Sequence, residues 1–88
     1  MTDDRIAAAM QADWRAVLDT SAGIRVIKQI LAAFPPLAPT FGEDDRATAY
    51  AEGKRSAGLT VLQQVQAANP LKATQIIQAM INGDKIYE

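Results

Sequence analysis

The longest helical pattern in the chain extends from about Asp45 to Asn69, and two glycines interrupt it. Glycine in a helix interior costs roughly 1 kcal/mol relative to alanine, so Gly53 and Gly58 weaken this segment. The densest charges of the segment lie around these glycines, beside an apolar stripe. Two glycines in the interior of one helix go against helix propensity, and such an exception indicates close packing or function. Any fold of this chain has to accommodate such a helix.

Apolar residues recur at helical spacing in four segments, and none shows the alternation typical of a strand. The predicted helices cover residues 3–19, 21–33, 45–69 and 71–81. Phe34-Pro35-Pro36 ends the second helix, because the residue before a proline is pushed out of the α region. A proline-rich loop follows, up to Asp44. We therefore expect a small all-α domain of four helices, with the long third helix as its spine and the proline-rich loop between helices 2 and 3.

The length of 88 residues predicts a single domain over residues 1–88, with its core between residues 3 and 82. A chain of this size buries only roughly 60–65% of its unfolded surface, so the core is thin. Alanine supplies much of the 49% hydrophobic content, which favours close helix packing and makes oligomerisation or docking on a partner more frequent. We expect the tail 83–88 to be loosely held, unless Ile86 and Tyr87 dock on the domain or on a neighbour.

Several side chains are candidates for packing between helices. Trp14 is the largest apolar group and is expected to anchor the first helix on the others rather than bind a ligand. Tyr50 and Ala57 belong to the apolar face of the third helix. Gly53, Ala57 and Gly58 are expected to let another helix approach closely, either the second helix or a neighbouring subunit.

The proline-rich loop contains two large apolar residues, Leu37 and Phe41. We expect both to pack onto the domain, because isolated apolar side chains in a loop gain from burial. The alternative is an exposed loop that contacts a partner, and under this alternative Leu37 and Phe41 are interaction candidates.

The residue types needed for most catalysis are missing. The chain has no cysteine and no histidine, so it has no disulfide, no thiol nucleophile and no imidazole for metal binding or proton transfer. No G-x-S-x-G, phosphate loop or H-E-x-x-H motif is present. The run Glu43-Asp44-Asp45 suits the start of a helix better than a divalent cation, since it lacks the spaced ligands of a calcium loop. We expect no catalytic residue, no metal and no cofactor.

Ten acidic and nine basic residues give a net charge of −1, which argues against general binding to nucleic acid or membranes. The acidic N-terminus does not resemble a signal peptide, and no apolar run approaches the roughly 18 residues of a membrane span. The chain is therefore expected to be soluble. Glu52, Lys54 and Arg55 either form a solvated face with ion pairing, such as Glu52 with Arg55, or contact a partner. The solvated face is the favoured interpretation of these charges. Glu52, Lys54 and Arg55 are nevertheless the candidates for contact, because a fold alone rarely requires charges there, and for Arg55 a role in the fold and a role in binding a partner both stay open.

Two blocks of sequence carry a resemblance to a known family. The first is Trp14-Arg15-Ala16-Val17-Leu18-Asp19-Thr20 followed by Gly23, and the second is Ala49-Tyr50-Ala51-Glu52-Gly53-Lys54-Arg55-Ser56-Ala57-Gly58-Leu59. They resemble a family of small proteins from tailed bacteriophages, named after a Bordetella phage member. Lys54 stands where the family commonly has arginine, and Tyr50-Ala51 stands near its usual phenylalanine. The resemblance covers about Ala12 to Met80.

The resemblance implies a non-enzymatic protein that acts by protein–protein interaction, since such proteins are encoded among phage head and morphogenesis genes. It implies a virion component or an accessory of head or portal assembly, located in the virion or the host cytoplasm. The implied partner is the phage portal, the capsid or another copy of the chain, so a homo-oligomer is one alternative. The matched surface comprises Glu52, Gly53, Lys54, Arg55 and Gly58. The competing hypothesis is a small phage-encoded inhibitor or regulator that binds a host protein or nucleic acid.

Overall fold

The computed structural model describes residues 2–39 and 43–87. Within these residues the regular structure is entirely helical, and no strand is present. The four helices are α1 (Asp3–Leu18), α2 (Ser21–Ala33), α3 (Asp45–Ala68) and α4 (Pro70–Asn82). The longest helix, α3, packs against each of the other three. The predicted all-α fold of four helices is confirmed.

Each helix begins at a side chain that accepts a hydrogen bond from a backbone N–H of the first turn, which satisfies one of the free donors there. The capping residues and their bond lengths are Thr2 (3.3 Å), Thr20 (2.9 Å), Asp44 (2.8 Å) and Asn69 (3.1 Å). Pro70 occupies the first turn of α4, where its missing N–H costs nothing. Gly83 ends α4 in the left-handed conformation, with φ of 71°. Capping by nearby residues therefore explains where each helix begins, and for α4 also where it ends.

The hydrophobic core lies where the four helices meet. Its buried residues are Leu18, Ile27, Leu31, Leu62, Val65, Ala68, Ala73 and Ile76. Leu18 is the only buried residue of α1, and the buried residues of α3 all lie at or beyond Gly58. Trp14 packs against this core while remaining partly exposed. The first half of α3, residues 45–57, contains no buried residue.

This uneven core gives the domain an open, flat shape. The Cα atoms extend over 45 × 37 × 17 Å, and their radius of gyration is 14.6 Å. A compact domain of this length has a radius of gyration of about 12 Å. Parts of α1 and α3 therefore lie outside the region that the core holds together.

Only one of the predicted packing positions on α3 faces another helix of the domain. Tyr50 is 70% exposed and Ala57 is also exposed, so their expected burial is wrong. A Cβ added at Gly53 would meet nothing within 4 Å, so this glycine does not admit a neighbouring helix either. Helical geometry explains this exposure, because Gly58 faces inwards and the other positions point away from it. Around the helix axis, Gly53 lies about 140° from Gly58, Ala57 about 100° and Tyr50 about 80°. The alternative, that Gly53 and Ala57 face a neighbouring subunit, stays a prediction.

The loop after α2 packs through a different residue from the one expected. Pro36 is fully buried, whereas Leu37 is more than half exposed. Pro36 takes the place against α3, since its Cδ lies 3.1 Å from where a Cβ of Gly58 would be. The expectation that Leu37 packs onto the domain is therefore wrong. Phe41 lies outside the described residues.

The C-terminal tail lies on α2. The side-chain amide of Gln29 donates a hydrogen bond to the Tyr87 hydroxyl, and the Arg25 guanidinium lies 5.9 Å from the centre of the Tyr87 ring. Ile86 is partly buried in a groove between α2 and α4. Of the three alternatives expected for the tail, these contacts of Ile86 and Tyr87 correspond to docking on the domain.

Candidate interaction surface

The charges predicted to contact a partner lie on the half of α3 that has no buried residue. Glu52 and Arg55 are exposed, and Lys54 is half-buried. The predicted ion pair between Glu52 and Arg55 does not form, and neither side chain has another partner among the described residues. Both charges are therefore available to another molecule.

Lys54 and Tyr50 form one part of this region. The Lys54 Nζ lies 5.5 Å from the centre of the Tyr50 ring, one helical turn away. At an exposed site such a cation–π contact contributes about 0.5–1 kcal/mol, enough to restrict the lysine. Both side chains line a shallow depression whose other wall is the loop after α2, with Pro35, Ala38 and Pro39. The depression combines apolar walls with one positive charge, so it suits an apolar segment that carries a carboxylate.

Glu52 and Arg55 form a second part, which points to a different side of α3. Successive helical residues lie about 100° apart, so Gly53, Lys54 and Arg55 point in three different directions. Glu52 and Arg55 are three residues apart and lie only about 60° apart, which lets one partner contact both. We call Tyr50, Glu52, Lys54 and Arg55 together the α3 surface. Gly53 is outside it, because it has no side chain with which to bind a partner.

The chemistry of the described residues is limited. No polar or charged side chain is buried among them. They also contain no group of three or more acidic side chains that could hold a metal ion. None of the helices found in residues 2–39 and 43–87 has the length and hydropathy needed to cross a membrane.

A second exposed region was missed from the sequence. Ile6, Met10 and Val17 share the helical spacing of the apolar residues of α1, yet they are between 41% and 49% exposed. Val26 of α2 lies beside them and is 50% exposed. We call these four residues the α1–α2 face. In the sequence, the one signal of this exposed region is Val26, which departs from the apolar stripe of its own helix.

The fold and these surfaces belong to a small helical protein of bacteriophages. The family model described as Bbp19-like phage protein matches residues 14–82, and the chain belongs to this family. The match extends from the second half of α1 to the end of α4 and includes the whole α3 surface. The predicted resemblance to a phage family named after a Bordetella phage member is confirmed. No curated protein and no solved structure matches the chain.

Proposed function

We propose that this phage protein acts without catalysis, by binding another protein of the phage particle through the α3 surface. Its role is that of a virion component or of an accessory in head or portal assembly. The observation that supports the proposal best is that Glu52 and Arg55 have no partner within residues 2–39 and 43–87 and lie on a half-helix with no buried residue. A helix that served the fold alone would rarely require charges at these positions.

The geometry of the α3 surface supports contact with a protein. Glu52 provides an acceptor and Arg55 several donors on one side of α3, so a partner with complementary charges can pair with both. On a different side of α3, the depression between Lys54 and the loop prolines can receive an apolar side chain. Burying charged groups against complementary ones favours specificity and rapid association more than raw affinity. An assembly accessory, which must recognise one partner among many, requires both properties.

The test is the protein content of purified particles and of head assembly intermediates. Mass spectrometry should find the wild-type protein at a constant ratio to a head protein. Arg55→Glu should lower this ratio, because it reverses the charge that the partner faces. The matched control is Lys85→Glu, which makes the same charge change at an exposed position of the tail.

Three outcomes would count against the proposal. Consistent absence of the wild-type protein from particles and intermediates would overturn it. Recovery of one stoichiometric host protein from lysate, sensitive to Arg55→Glu, would replace it by an inhibitor or regulator of that host protein. Binding to nucleic acid that weakens steeply with salt would indicate a nucleic-acid target instead.

A further inference from the structure

The domain exposes more surface than a compact monomer of its mass. Its accessible surface is 6294 Å², whereas a folded monomer of 9.5 kDa exposes about 5,000 Å². The excess of roughly 1,200 Å² is larger than the roughly 800 Å² that each partner contributes to a stable interface of standard size. The structure therefore has enough uncovered surface for a stable interface between two copies.

The α1–α2 face is an uncovered apolar area with four large side chains, each at least 41% exposed. It borders an open groove between the two helices whose lining is almost entirely apolar: Met10, Asp13, Trp14, Val17, Val26, Ile27 and Ile30. Asp13 is the only charged residue of this lining. Small monomers rarely leave several large apolar side chains exposed side by side, so this face is suited to an interface.

The charges beside this face are arranged so that those of one copy can pair with those of a second copy. Arg5, Ala9 and Asp13 lie four residues apart on α1, and all three are exposed. The side chains of Arg5 and Asp13 have no partner among the described residues. Ala9 lies midway between them, so a two-fold axis at Ala9 would place Arg5 of each copy level with Asp13 of the other.

Helix packing geometry allows this arrangement. Residues four apart form ridges on a helix, and the commonest packing class aligns such ridges of two helices at a crossing angle of about −50°. Ala9, with Ala12 and Ala16 nearby on the exposed side of α1, leaves room for a second helix to approach. Ile6 and Met10 lie beside the ridge, so the same contact would cover part of the α1–α2 face.

We propose that the α1–α2 face binds a second copy of this chain. The two α1 helices cross antiparallel at Ala9, and each Arg5 pairs with the Asp13 of the other copy. The apolar residues around this crossing exclude water from the contact. The dimer does not depend on the proposed function, because it uses α1 and α2 whereas binding to the phage particle uses the α3 surface.

The test is sedimentation equilibrium of the whole chain over a wide range of protein concentration. The wild-type protein should show a monomer–dimer equilibrium. Arg5→Asp and Asp13→Arg should each raise the dimer dissociation constant by at least about tenfold, since each places like charges opposite one another. The double variant Arg5→Asp with Asp13→Arg restores opposite charges and should return the constant to near the wild-type value. Lys85→Asp, the same charge change on the tail, should leave it unchanged.

A wild-type chain that stays monomeric at every concentration would overturn the proposal, whatever else binds to this face. A dimer that the single variants leave unchanged, or that the double variant does not restore, would also overturn it. Circular dichroism of each variant distinguishes loss of the fold from loss of the interface. The helical signal should be unchanged, since Arg5 and Asp13 are exposed and outside the core. Particle association of the wild-type protein can succeed or fail independently of these results.

Discussion

The carbonyl oxygen of Phe34 lies against Gly58, in the space that a Cβ at position 58 would occupy. Phe34 is the residue at which α2 ends, and Pro36, two residues later, is fully buried. Glycine at position 58 therefore lets the end of α2 and the start of the loop lie directly on α3. This contact determines where the connection between α2 and α3 leaves the core.

Gly58→Ala should lower the free energy of unfolding by about 1–3 kcal/mol, because the Phe34 carbonyl and Pro36 must move to admit the methyl group. Gly58→Leu should cost at least as much, since its longer side chain requires a larger shift. Urea unfolding followed by circular dichroism measures both values. An unchanged midpoint for Gly58→Leu would contradict the close contact.

Gly53→Ala is the matched control for this prediction. Its Cβ would enter open space, and alanine is the better helix former, so stability should rise by roughly 0.5–1 kcal/mol. The two alanine substitutions should thus change the free energy of unfolding in opposite directions, although both lie in α3. Stabilisation by both would mean that the gain in helix propensity outweighs the Phe34 contact at Gly58.

Thr20→Ala should lower stability by about 1 kcal/mol, because the Thr20 hydroxyl caps α2. Its Oγ1 accepts a hydrogen bond of 2.9 Å from the backbone N–H of Gly23 and donates one of 3.0 Å to the Val17 carbonyl. Thr60→Ala is the comparison, since the Thr60 hydroxyl bonds only to the Ser56 carbonyl within α3. Thermal unfolding should show a lower midpoint for Thr20→Ala and an equal or higher one for Thr60→Ala, because alanine favours the helix interior. The reverse order would show that Thr20 contributes little as a cap.

Two leucines test where the core lies. Leu31 is completely buried, whereas Leu71 is 65% exposed. Leu31→Ala should cost about 2–5 kcal/mol through lost burial and the cavity left behind. Leu71→Ala should change stability by no more than about 0.5 kcal/mol. Chemical unfolding of both variants gives the comparison, and similar losses would place the core elsewhere.

The number of helices and most of their ends could be predicted because the signals are local. Thr20 caps α2 from within its own turn, and Asn69-Pro70 separates α3 from α4 by removing a backbone donor. The extent of burial along each helix is not local. Ile6 and Met10 follow the apolar period of α1, but the period shows only which side faces inwards and not how far the neighbouring helices extend.

The candidate site was predicted as a set of residues rather than as an arrangement. The exposure of Glu52 and Arg55 follows from their charge, so the sequence was sufficient there. The contact of Lys54 with Tyr50, and the wall that Pro39 adds beside them, depend on the path of the loop after α2. That path depends on the burial of Pro36 against α3, a tertiary contact that no local pattern specifies.

Tyr87 tests how the tail is held on α2. Tyr87→Ala removes both the ring beneath Arg25 and the hydroxyl that accepts from Gln29, two contacts worth about 1 kcal/mol each. Hydrogen exchange of the tail amides should become roughly 30-fold faster while the global unfolding midpoint changes little, since the tail opens separately from the core. Tyr87→Phe keeps the ring and should have an intermediate effect, and Lys85→Ala is the control at an exposed neighbouring position. Unchanged exchange in Tyr87→Ala would mean that Ile86 alone holds the tail in the groove between α2 and α4.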